Sequence, residues 1–281
     1  MTPGKPLLVV DGDSLAHRAY HALPKSMRSA TGLPSGAIVG FANFLLRLWQ
    51  SEEPRAVLVG WDCVGEPTYR SEAFPAYQSG RVFDPELLEQ LELLPELVGA
   101  MGFTAAKQPG YEADDFLAAA VAQEEQRGGT SLVATSDRDS FQLVSELTTV
   151  LQPVKGVSEL ARIGPAEVRE RYGVEPAQVP DFIALRGDPS DKLPGARGVG
   201  PKTAASILGE HGTLEAALEA GRFSAEAEDL RLYRRMAQLD ASAPLPSLAD
   251  QTPKWAGASS LSESWGLGNL ARRLEELARE G

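Results

Sequence analysis

The sequence has few of the residues that build disulfide or zinc sites. Cys63 is the only cysteine among 281 residues, so the chain can form no internal disulfide, and a zinc site made of several cysteines is excluded. We interpret its thiol as a small buried hydrophobe. The three histidines do not have a metal-ligand spacing, and we expect them to be surface or packing residues: His17, His21 and His211.

Long hydrophobic runs and an excess of basic charge are also missing. The first apolar run, Leu7 to Val10, is far too short for a signal segment or a membrane span, and no later stretch reaches about 18 apolar residues. We therefore expect no membrane contact and a cytoplasmic location. The formal charge of -12 argues against a simple basic nucleic-acid binder. Local basic strips remain possible if much of the acidic excess is concentrated in one site.

The most unusual feature of the chain is a cluster of acids between Pro109 and Glu125, at the start of an apolar-periodic helix. Glu112, Asp114 and Asp115 fall within four residues. Acids in a first helical turn complement the helix dipole, which would explain one or two of them. Glu112 and Asp115 share a helix face and repel each other, and a divalent cation would reverse the sign of that interaction.

Aspartates also end three apolar runs of strand character. LLVVD ends at Asp11, AVLVGWD at Asp62 and SLVATSD at Asp137. One such residue alone would usually be a cap or a turn residue, but sites in open α/β sheets form at the carboxyl ends of strands. With the acidic helix, the GDPSD segment and a nearby aspartate, nine carboxylates are candidates for one metal site: Asp11, Asp62, Glu112, Asp114, Asp115, Asp137, Asp139, Asp188 and Asp191.

The alternation of strand and helix patterns predicts an α/β fold with a mostly parallel central sheet flanked by helices. Residues 63–83 have no clean period, which favours either a mobile functional lid or a helix pair whose aromatics form core. Strand signals stop beyond Gly156, and an extended connector is expected over 244–255. We predict an α/β core over 1–156 and a helical part over 157–281, with helices at 165–172, 176–185, 201–208, 214–220, 225–239 and 267–279.

A basic, glycine-containing turn follows the GDPSD segment. Lys192, Arg197 and Lys202 occur without an intervening acid, Gly198 and Gly200 allow close approach to a ligand, and Pro201 suits a first helical position. Free N–H groups at such a helix start bind anions. A DNA backbone phosphate is the partner we expect, and the alternative is a plain helix–turn–helix packing corner.

Five segments together resemble the 5' nuclease domain of bacterial DNA polymerase I and the wider flap endonuclease superfamily. They are DGDSLAHRAYHAL, WDCVGEPTYR, GYEADD, SDRDSFQL and GDPSDKLPGARGVGPKTA. The resemblance implies cleavage of phosphodiesters at 5' flaps and 5' ends of DNA, with two or more Mg²⁺ or Mn²⁺ ions at the nine acids. It also implies a helical arch at about 63–83 and a helix-three-turn-helix DNA-binding element at about 182–210.

The resemblance further assigns individual roles. Arg70 and Arg81 match basic catalytic positions of the arch, and Tyr20 matches an aromatic position suited to stacking on a base, although simple packing remains open. The duplex-binding turn covers Gly195 through Thr203, where a K⁺ ion can bind. The residues implied in DNA binding are Tyr20, Lys192, Arg197, Gly198, Gly200, Lys202 and Thr203.

One position departs from the family pattern. The arch usually carries a lysine after its tyrosine, but this chain has Gln78. Either the enzyme is slow, or Arg81 or Arg70 replaces the missing cation. Two other functions stay open: a structure-specific DNA-binding protein with weak or lost cleavage, and a metal-dependent RNase. We expect a monomer that binds branched or 5'-flap DNA, with a DNA polymerase as a partner in trans.

Overall fold

The computed structural model describes residues 4–155 and 159–280 of the chain. Within these residues, six strands form one sheet in the order β3-β2-β1-β4-β5-β6. All neighbouring pairs are parallel except β5 and β6, which are antiparallel. The strands are β1 (Leu7–Asp11), β2 (Ala56–Gly60), β3 (Thr104–Ala106), β4 (Ser131–Ala134), β5 (Thr148–Lys155) and β6 (Glu159–Ile163).

Twelve α-helices in the described residues surround this sheet or extend from it. They are α1 (Gly12–Ala22), α2 (Gly36–Glu52), α3 (Tyr69–Ala73), α4 (Pro85–Ala100), α5 (Ala113–Gln126), α6 (Pro165–Tyr172), α7 (Val179–Arg186), α8 (Pro201–His211), α9 (Leu214–Glu219), α10 (Ala227–Ala237), α11 (Trp255–Ser264) and α12 (Gly268–Glu280). Short 3-10 turns cover Asp139–Leu143 and Pro176–Gln178. The predicted fold class is confirmed by this arrangement.

The central strand β1 is buried on both faces, which explains its continuous apolar run. Leu7 and Val9 belong to the hydrophobic cluster that includes α5 and the C-terminal helices α7 to α10. Leu8 and Val10 belong to the opposite cluster, with α1, α2 and α4. Because β1, β2 and β4 are parallel, their carboxyl ends lie at the same edge of the sheet.

Two glycines allow close packing at that edge. A Cβ atom on Gly60, the last residue of β2, would lie 2.5 Å from the backbone oxygen of Ala113, so the start of α5 can approach the strand only because the side chain is absent. Similarly, a Cβ atom on Gly12 would lie 2.6 Å from the ring of Trp61. These contacts bring the first turns of α1 and α5 to the ends of β1 and β2.

Two elements were missed in the sequence. The expectation that strands end by Gly156 was wrong, because it missed β6, whose short sequence ELARI includes two charged residues and which pairs as an edge strand. The extended connector predicted over 244–255 agrees with the structure, which has no helix or strand over 244–254, but the helix α11 that begins at Trp255 was not predicted. This weakly patterned helix docks through Trp255, whose ring lies 6.1 Å from that of Trp49 and 5.6 Å from that of Phe103.

The predicted domain boundary between 156 and 157 lies outside the described residues. Among the residues that are described, no helix combines the length and apolar character needed to cross a lipid bilayer.

Candidate active site

A cleft of about 410 Å³ opens at the carboxyl edge of the sheet. Seven of the nine predicted carboxylates line it, and they come from five separate segments of the chain: Asp11, Asp62, Glu112, Asp114, Asp137, Asp139 and Asp191. Asp13 also lines the cleft, whereas Asp115 and Asp188 do not appear on its wall. The structure therefore brings most of the predicted acids together, across up to 180 residues of sequence.

Asp11 joins the end of β1 to the start of α1. Its Oδ1 accepts a hydrogen bond from the backbone N–H of Ser14 (3.0 Å), and its Oδ2 accepts from the hydroxyl of Thr135 (2.7 Å). Burial raises the pKa of Asp11 to about 7, and these two hydrogen bonds only partly oppose the shift. A cation in the cleft would favour the charged form of this carboxylate.

Asp13 is a cleft residue that the sequence interpretation missed. Its carboxylate accepts a hydrogen bond from the backbone N–H of Asp62 (2.7 Å), which links α1 to the end of β2. Burial, and then the charge of Asp62, raise the pKa of Asp13 well above its ordinary value. The Asp-Gly-Asp spacing at 11–13 was the available signal, because it places a second acid in the first turn of the helix that follows the strand.

The start of α5 contributes Glu112 and Asp114. Asp62 accepts a hydrogen bond from the backbone N–H of Ala113 (2.7 Å), which fixes this helix start against β2. Oδ1 of Asp114 is buried and has no hydrogen-bond partner. Burial raises the pKa of Asp114, and neighbouring Asp115 and Glu112 raise it further, against the opposing effect of Arg70. A buried carboxylate without a hydrogen bond to this oxygen is costly unless a ligand satisfies it.

Asp115 faces away from the cleft and is fully buried. It accepts hydrogen bonds from Arg70 (2.7 and 2.9 Å), from the backbone N–H groups of Glu112 (3.0 Å) and Asp240 (2.8 Å), and from the hydroxyl of Tyr69 (3.2 Å). Both of its oxygens are therefore occupied by protein donors. Asp115 therefore pairs with protein groups in this structure, and its role as a metal ligand stays a prediction.

Arg70 is likewise fully buried, although it was predicted to be a catalytic cation of the arch. Besides Asp115, its guanidinium donates to the backbone carbonyls of Met236 (2.9 Å) and Gln238 (3.3 Å), and it lies 3.1 Å from Glu112. Tertiary contacts with α10 draw it inward, so it does not line the cleft. In this arrangement Arg70 pairs with the acidic helix and lies away from the cleft wall.

On the other wall, Asp137 and Asp139 follow β4. Asp137 accepts a hydrogen bond from the backbone N–H of Asp139 (2.9 Å). Burial and the charge of Asp137 raise the pKa of Asp139 well above its ordinary value. Asp188 lies 3.3 Å from Arg186 and accepts a hydrogen bond from the backbone N–H of Ser190 (2.8 Å). These protein groups compensate its charge, and the residue is not part of the cleft wall.

The predicted arch segment lies against the cleft. Tyr77, Gln78, Arg81 and Phe83 line it, and Asp191 accepts hydrogen bonds from both Gln78 (3.0 Å) and Arg81 (3.1 Å). The Arg81 side chain is 41% exposed, so it can leave Asp191 for another anion. Among the described residues, Arg81 is the one arginine or lysine on the cleft wall, which also includes His17.

Tyr20 does not present its ring for base stacking in this structure. It is 3% exposed and packs in the cluster beneath α1 and α2, with the ammonium of Lys25 5.2 Å from its ring centroid. This conformation therefore fits the alternative that Tyr20 is a packing residue.

The predicted phosphate-binding turn is a compact loop between α7 and α8. Two backbone hydrogen bonds between Asp188 and Leu193, each 2.8 Å long, close the base of the loop. Gly187 and Gly195 pack so closely that a Cβ atom on Gly195 would lie 2.4 Å from the backbone nitrogen of Gly187. All the predicted DNA contacts of this region are exposed: Lys192, Arg197, Gly198, Gly200, Lys202 and Thr203. The loop therefore presents both the start of α8 and basic side chains to solvent.

The donor chemistry of the cleft fits a hard divalent cation. Within residues 4–155 and 159–280, no three His, Cys, Asp or Glu side chains already converge to hold a metal ion together. The charged oxygen ligands that the wall offers are nevertheless all carboxylates, several of them have raised pKa values, and one buried carboxylate oxygen accepts no hydrogen bond. Magnesium prefers oxygen ligands and retains several waters, so it does not require a tight protein cage.

Comparison with known families gives matches over nearly the whole chain. The model for the 5'-3' exonuclease N-terminal resolvase-like domain matches residues 6–173, and that for the 5'-3' exonuclease C-terminal SAM fold matches residues 174–256. The chain belongs to the 5'-3' exonuclease family. The resemblance inferred from its motifs is confirmed.

Sequence relatives of this 5'-3' exonuclease family member include DNA polymerases. DNA polymerase I of Mycobacterium tuberculosis is 45% identical over 215 residues, covering 76% of this chain and 24% of the polymerase. The thermostable DNA polymerase I of Thermus thermophilus is 41% identical over 250 residues, covering 85% of this chain and 29% of the polymerase. The chain thus spans about a quarter of the length of the relatives it matches.

Solved structures of the same fold include T5 5'-exonuclease with bound zinc, at a TM-score of 0.70 and 19% identity, covering 97% of this chain and 99% of that one. Flap endonuclease-1 from Methanococcus jannaschii gives a TM-score of 0.64 at 15% identity, covering 99% of this chain and 94% of that one. At these identities the likeness establishes the fold of the family member.

Proposed function

We propose that this chain is a divalent-metal-dependent 5' nuclease that hydrolyses phosphodiesters in 5'-flap, branched or 5'-ended DNA during replication and repair. The observation that carries the proposal is the cleft at the carboxyl edge of the sheet, where eight carboxylates line the walls and the buried Oδ1 of Asp114 accepts no hydrogen bond from the protein. Membership of the 5'-3' exonuclease family supports the same reaction.

The carboxylates proposed to hold Mg²⁺ or Mn²⁺ are those on the cleft wall: Asp11, Asp13, Asp62, Glu112, Asp114, Asp137, Asp139 and Asp191. When bound, such ions activate a water and stabilise the leaving oxygen of a phosphodiester. T5 5'-exonuclease has been solved with divalent metal ions, which supports metal dependence here. The proposed preference for magnesium or manganese rests on the all-oxygen donor set.

Arg81 is proposed to contact the scissile phosphate. It is the basic side chain on the cleft wall, it is partly exposed, and its present partner is a carboxylate that a phosphate could replace. Arg70 is assigned a different role, because its buried guanidinium positions Glu112 and Asp115 and has no path to the substrate. We therefore propose that Arg81 alone replaces the lysine that the family pattern places at the position of Gln78.

Residues 1–156 are proposed to carry the chemistry and residues 157–281 to bind the duplex. The loop between α7 and α8 would act as a helix-three-turn-helix element, with Lys202 and Arg197 contacting phosphates and the N-terminal turn of α8 donating N–H groups. A K⁺ ion bound to backbone carbonyls of this loop is part of the proposal. The known complexes of T5 flap endonuclease and Rad2 with DNA support a DNA substrate.

The proposed setting is the cytoplasm, where the protein would act as a monomer with a DNA polymerase in trans. The DNA polymerase I relatives support that partnership. The uncharged Gln78 favours a second candidate, a structure-specific DNA-binding protein with weak cleavage. A metal-dependent RNase is disfavoured by the exposed basic loop, which suits duplex DNA.

A cleavage assay separates these functions. The protein is incubated with labelled 5'-flap DNA, blunt duplex and single-stranded RNA in Mg²⁺, Mn²⁺ or chelator. We expect metal-dependent release of the flap and little cleavage of RNA. Tight flap binding without cleavage would identify the DNA-binding alternative, and preferential cleavage of RNA would identify the RNase.

A further inference from the structure

Gln78 connects the two walls of the cleft. Its side-chain nitrogen donates to Oδ1 of Asp191 (3.0 Å) and to the hydroxyl of Tyr77 (2.9 Å). Tyr77 in turn donates to Oε2 of Glu112 (3.0 Å). Three hydrogen bonds thus form a continuous bridge from Asp191, in the loop after α7, to Glu112, at the start of α5.

The chemistry of each group allows this bridge. An amide nitrogen carries two hydrogens, so Gln78 can donate to both partners at once. The hydroxyl of Tyr77 accepts from Gln78 and donates to Glu112, and a phenol hydroxyl can do both at once. The ring of Tyr77 is 6% exposed and belongs to the main hydrophobic cluster, so the bridge has a fixed centre.

The backbone indicates that these contacts hold the segment in place. Gln78 has a φ of 49°, in the left-handed region, and its N–H donates to the carbonyl of Asp191 (3.4 Å). A non-glycine residue in that region is strained by about 1 kcal/mol or more and persists only where surrounding contacts compensate. Gln78 is surrounded by such contacts on both its backbone and its side chain.

We propose that Gln78 is a positioning residue: it holds the arch segment against the cleft and orients the carboxylates of Asp191 and Glu112 without neutralising their charge. This inference rests on the proposed metal-dependent nuclease function. The uncharged amide orients Asp191 without adding a positive charge beside its carboxylate. Arg81 already donates to the same oxygen of Asp191, so a second positive group there would weaken the attraction for metal.

Two substitutions separate orientation from charge. Gln78→Leu removes both donors at similar size, whereas Gln78→Lys keeps donor hydrogens and adds a charge. Tyr77→Phe removes only the middle hydroxyl and keeps the ring packing. Val82→Lys is the matched control for charge, because it adds the same group to the same segment on a residue that is 93% exposed.

The first measurement is amide hydrogen exchange of residues 74–81 in the DNA-free protein. We expect Gln78→Leu and Tyr77→Phe to speed exchange by about tenfold or more, as loss of one or two buried hydrogen bonds predicts, while Gln78→Lys stays within about threefold of the native protein. Unchanged exchange in both Gln78→Leu and Tyr77→Phe would overturn the bridge.

The second measurement is Mn²⁺ binding to the DNA-free protein by calorimetric titration. We expect Gln78→Lys to weaken binding by about tenfold and Val82→Lys by less than about twofold, because only the first places its charge beside Asp191. Equal effects of the two lysines would overturn the role assigned to the neutral amide.

These outcomes are distinguishable from failure of the proposed function. A native protein that binds no Mn²⁺ would overturn the metal-dependent function and the electrostatic part of this proposal together, while hydrogen exchange would still decide whether the bridge exists. Native metal binding with no nuclease activity would leave both measurements valid.

Discussion

Arg70 and Asp115 form a bidentate ion pair in the interior of the protein, with nitrogen–oxygen distances of 2.7 and 2.9 Å. The arginine comes from the arch segment and the aspartate from the acidic helix, and both side chains are inaccessible to solvent. This pair fixes the start of α5, so the geometry of the cleft depends on residues that do not line it.

Asp115→Asn should destabilise the protein. Removal of one partner leaves a buried guanidinium insufficiently paired, which costs about 3 to 5 kcal/mol. For a chain of this size that corresponds to a fall in Tm of about 6 to 20 °C, measured by calorimetry in chelator. Asp188→Asn is the matched control, because its carboxylate is paired near the surface. A Tm that holds or rises in Asp115→Asn would restore its prediction as an uncompensated metal-site acid.

Asp114→Asn should have the opposite effect on stability. Its carboxylate is buried, has a raised pKa and has one oxygen without a hydrogen bond, so a neutral amide relieves repulsion in the metal-free protein. We expect the Tm in chelator to rise by a few degrees and cleavage to fall by at least about 100-fold, as for a lost electrostatic contact in the transition state. Retained cleavage at unchanged metal dependence would remove Asp114 from the site.

The metal-free protein should lose stability as pH rises from about 4 to about 7. The pKa of Asp11 is raised from 3.8 to about 7 and that of Glu112 from 4.5 to about 7, mainly by burial. The folded state therefore binds these protons more tightly than the unfolded state, and their stabilising effect is complete below pH 4 and is lost as pH passes the folded values. Urea unfolding at a series of pH values in chelator measures this slope, and saturating Mg²⁺ should flatten or reverse it.

Lys202→Ala should weaken duplex binding to a similar degree for all sequences. One lost phosphate contact lowers the slope of log affinity against log salt concentration by about one unit. Lys5→Ala is the control, because Lys5 precedes β1 at the opposite edge of the sheet and lies 3.7 Å from Glu53. Fluorescence anisotropy over a salt series decides the matter: identical slopes in the native protein and Lys202→Ala would make the loop a packing corner.

Arg81→Ala should lower the single-turnover cleavage rate by about 100- to 1000-fold, because it removes the basic group on the cleft wall. Arg169→Ala, at a surface arginine that is 50% exposed and paired with Glu175, should leave the rate unchanged. Since Arg70 is buried, Arg70→Ala should act mainly through unfolding. If Arg81→Ala cleaves normally and Gln78→Lys is much faster than the native protein, the enzyme is slow for want of the lysine.

The sequence predicted the parts of the site that depend on local pattern. Apolar runs ending at Asp11, Asp62 and Asp137 were enough to place these residues at one sheet edge, because parallel strands end together. The ion pair between Arg70 and Asp115 could not be predicted, because the two residues are 45 positions apart in the sequence. The carbonyl of Met236, which also accepts from Arg70, is still farther along the chain. Charged residues such as aspartate occur both in buried ion pairs and as metal ligands, so the residue type alone did not distinguish the two roles.

Elements without a strong apolar pattern were also missed. The edge strand β6 exposes much of its surface, so its charged residues gave no strand signal. The helix α11 is stabilised by the contacts of Trp255 with Trp49 and Phe103, which come from distant segments. Tertiary packing determined both elements, and local propensity did not predict them.

The packing of Trp61 against Gly12 also gives the protein an internal optical probe. This indole is 1% exposed, its ring centroid lies 5.3 Å from that of Phe41, and its N–H has no hydrogen-bond partner. Its emission is therefore expected at short wavelength, and its position directly before Asp62 couples it to the cleft. Trp49 and Trp255 instead lie together where α11 docks, so tryptophan-to-phenylalanine replacements separate a signal from the cleft from a signal at the C-terminal helices.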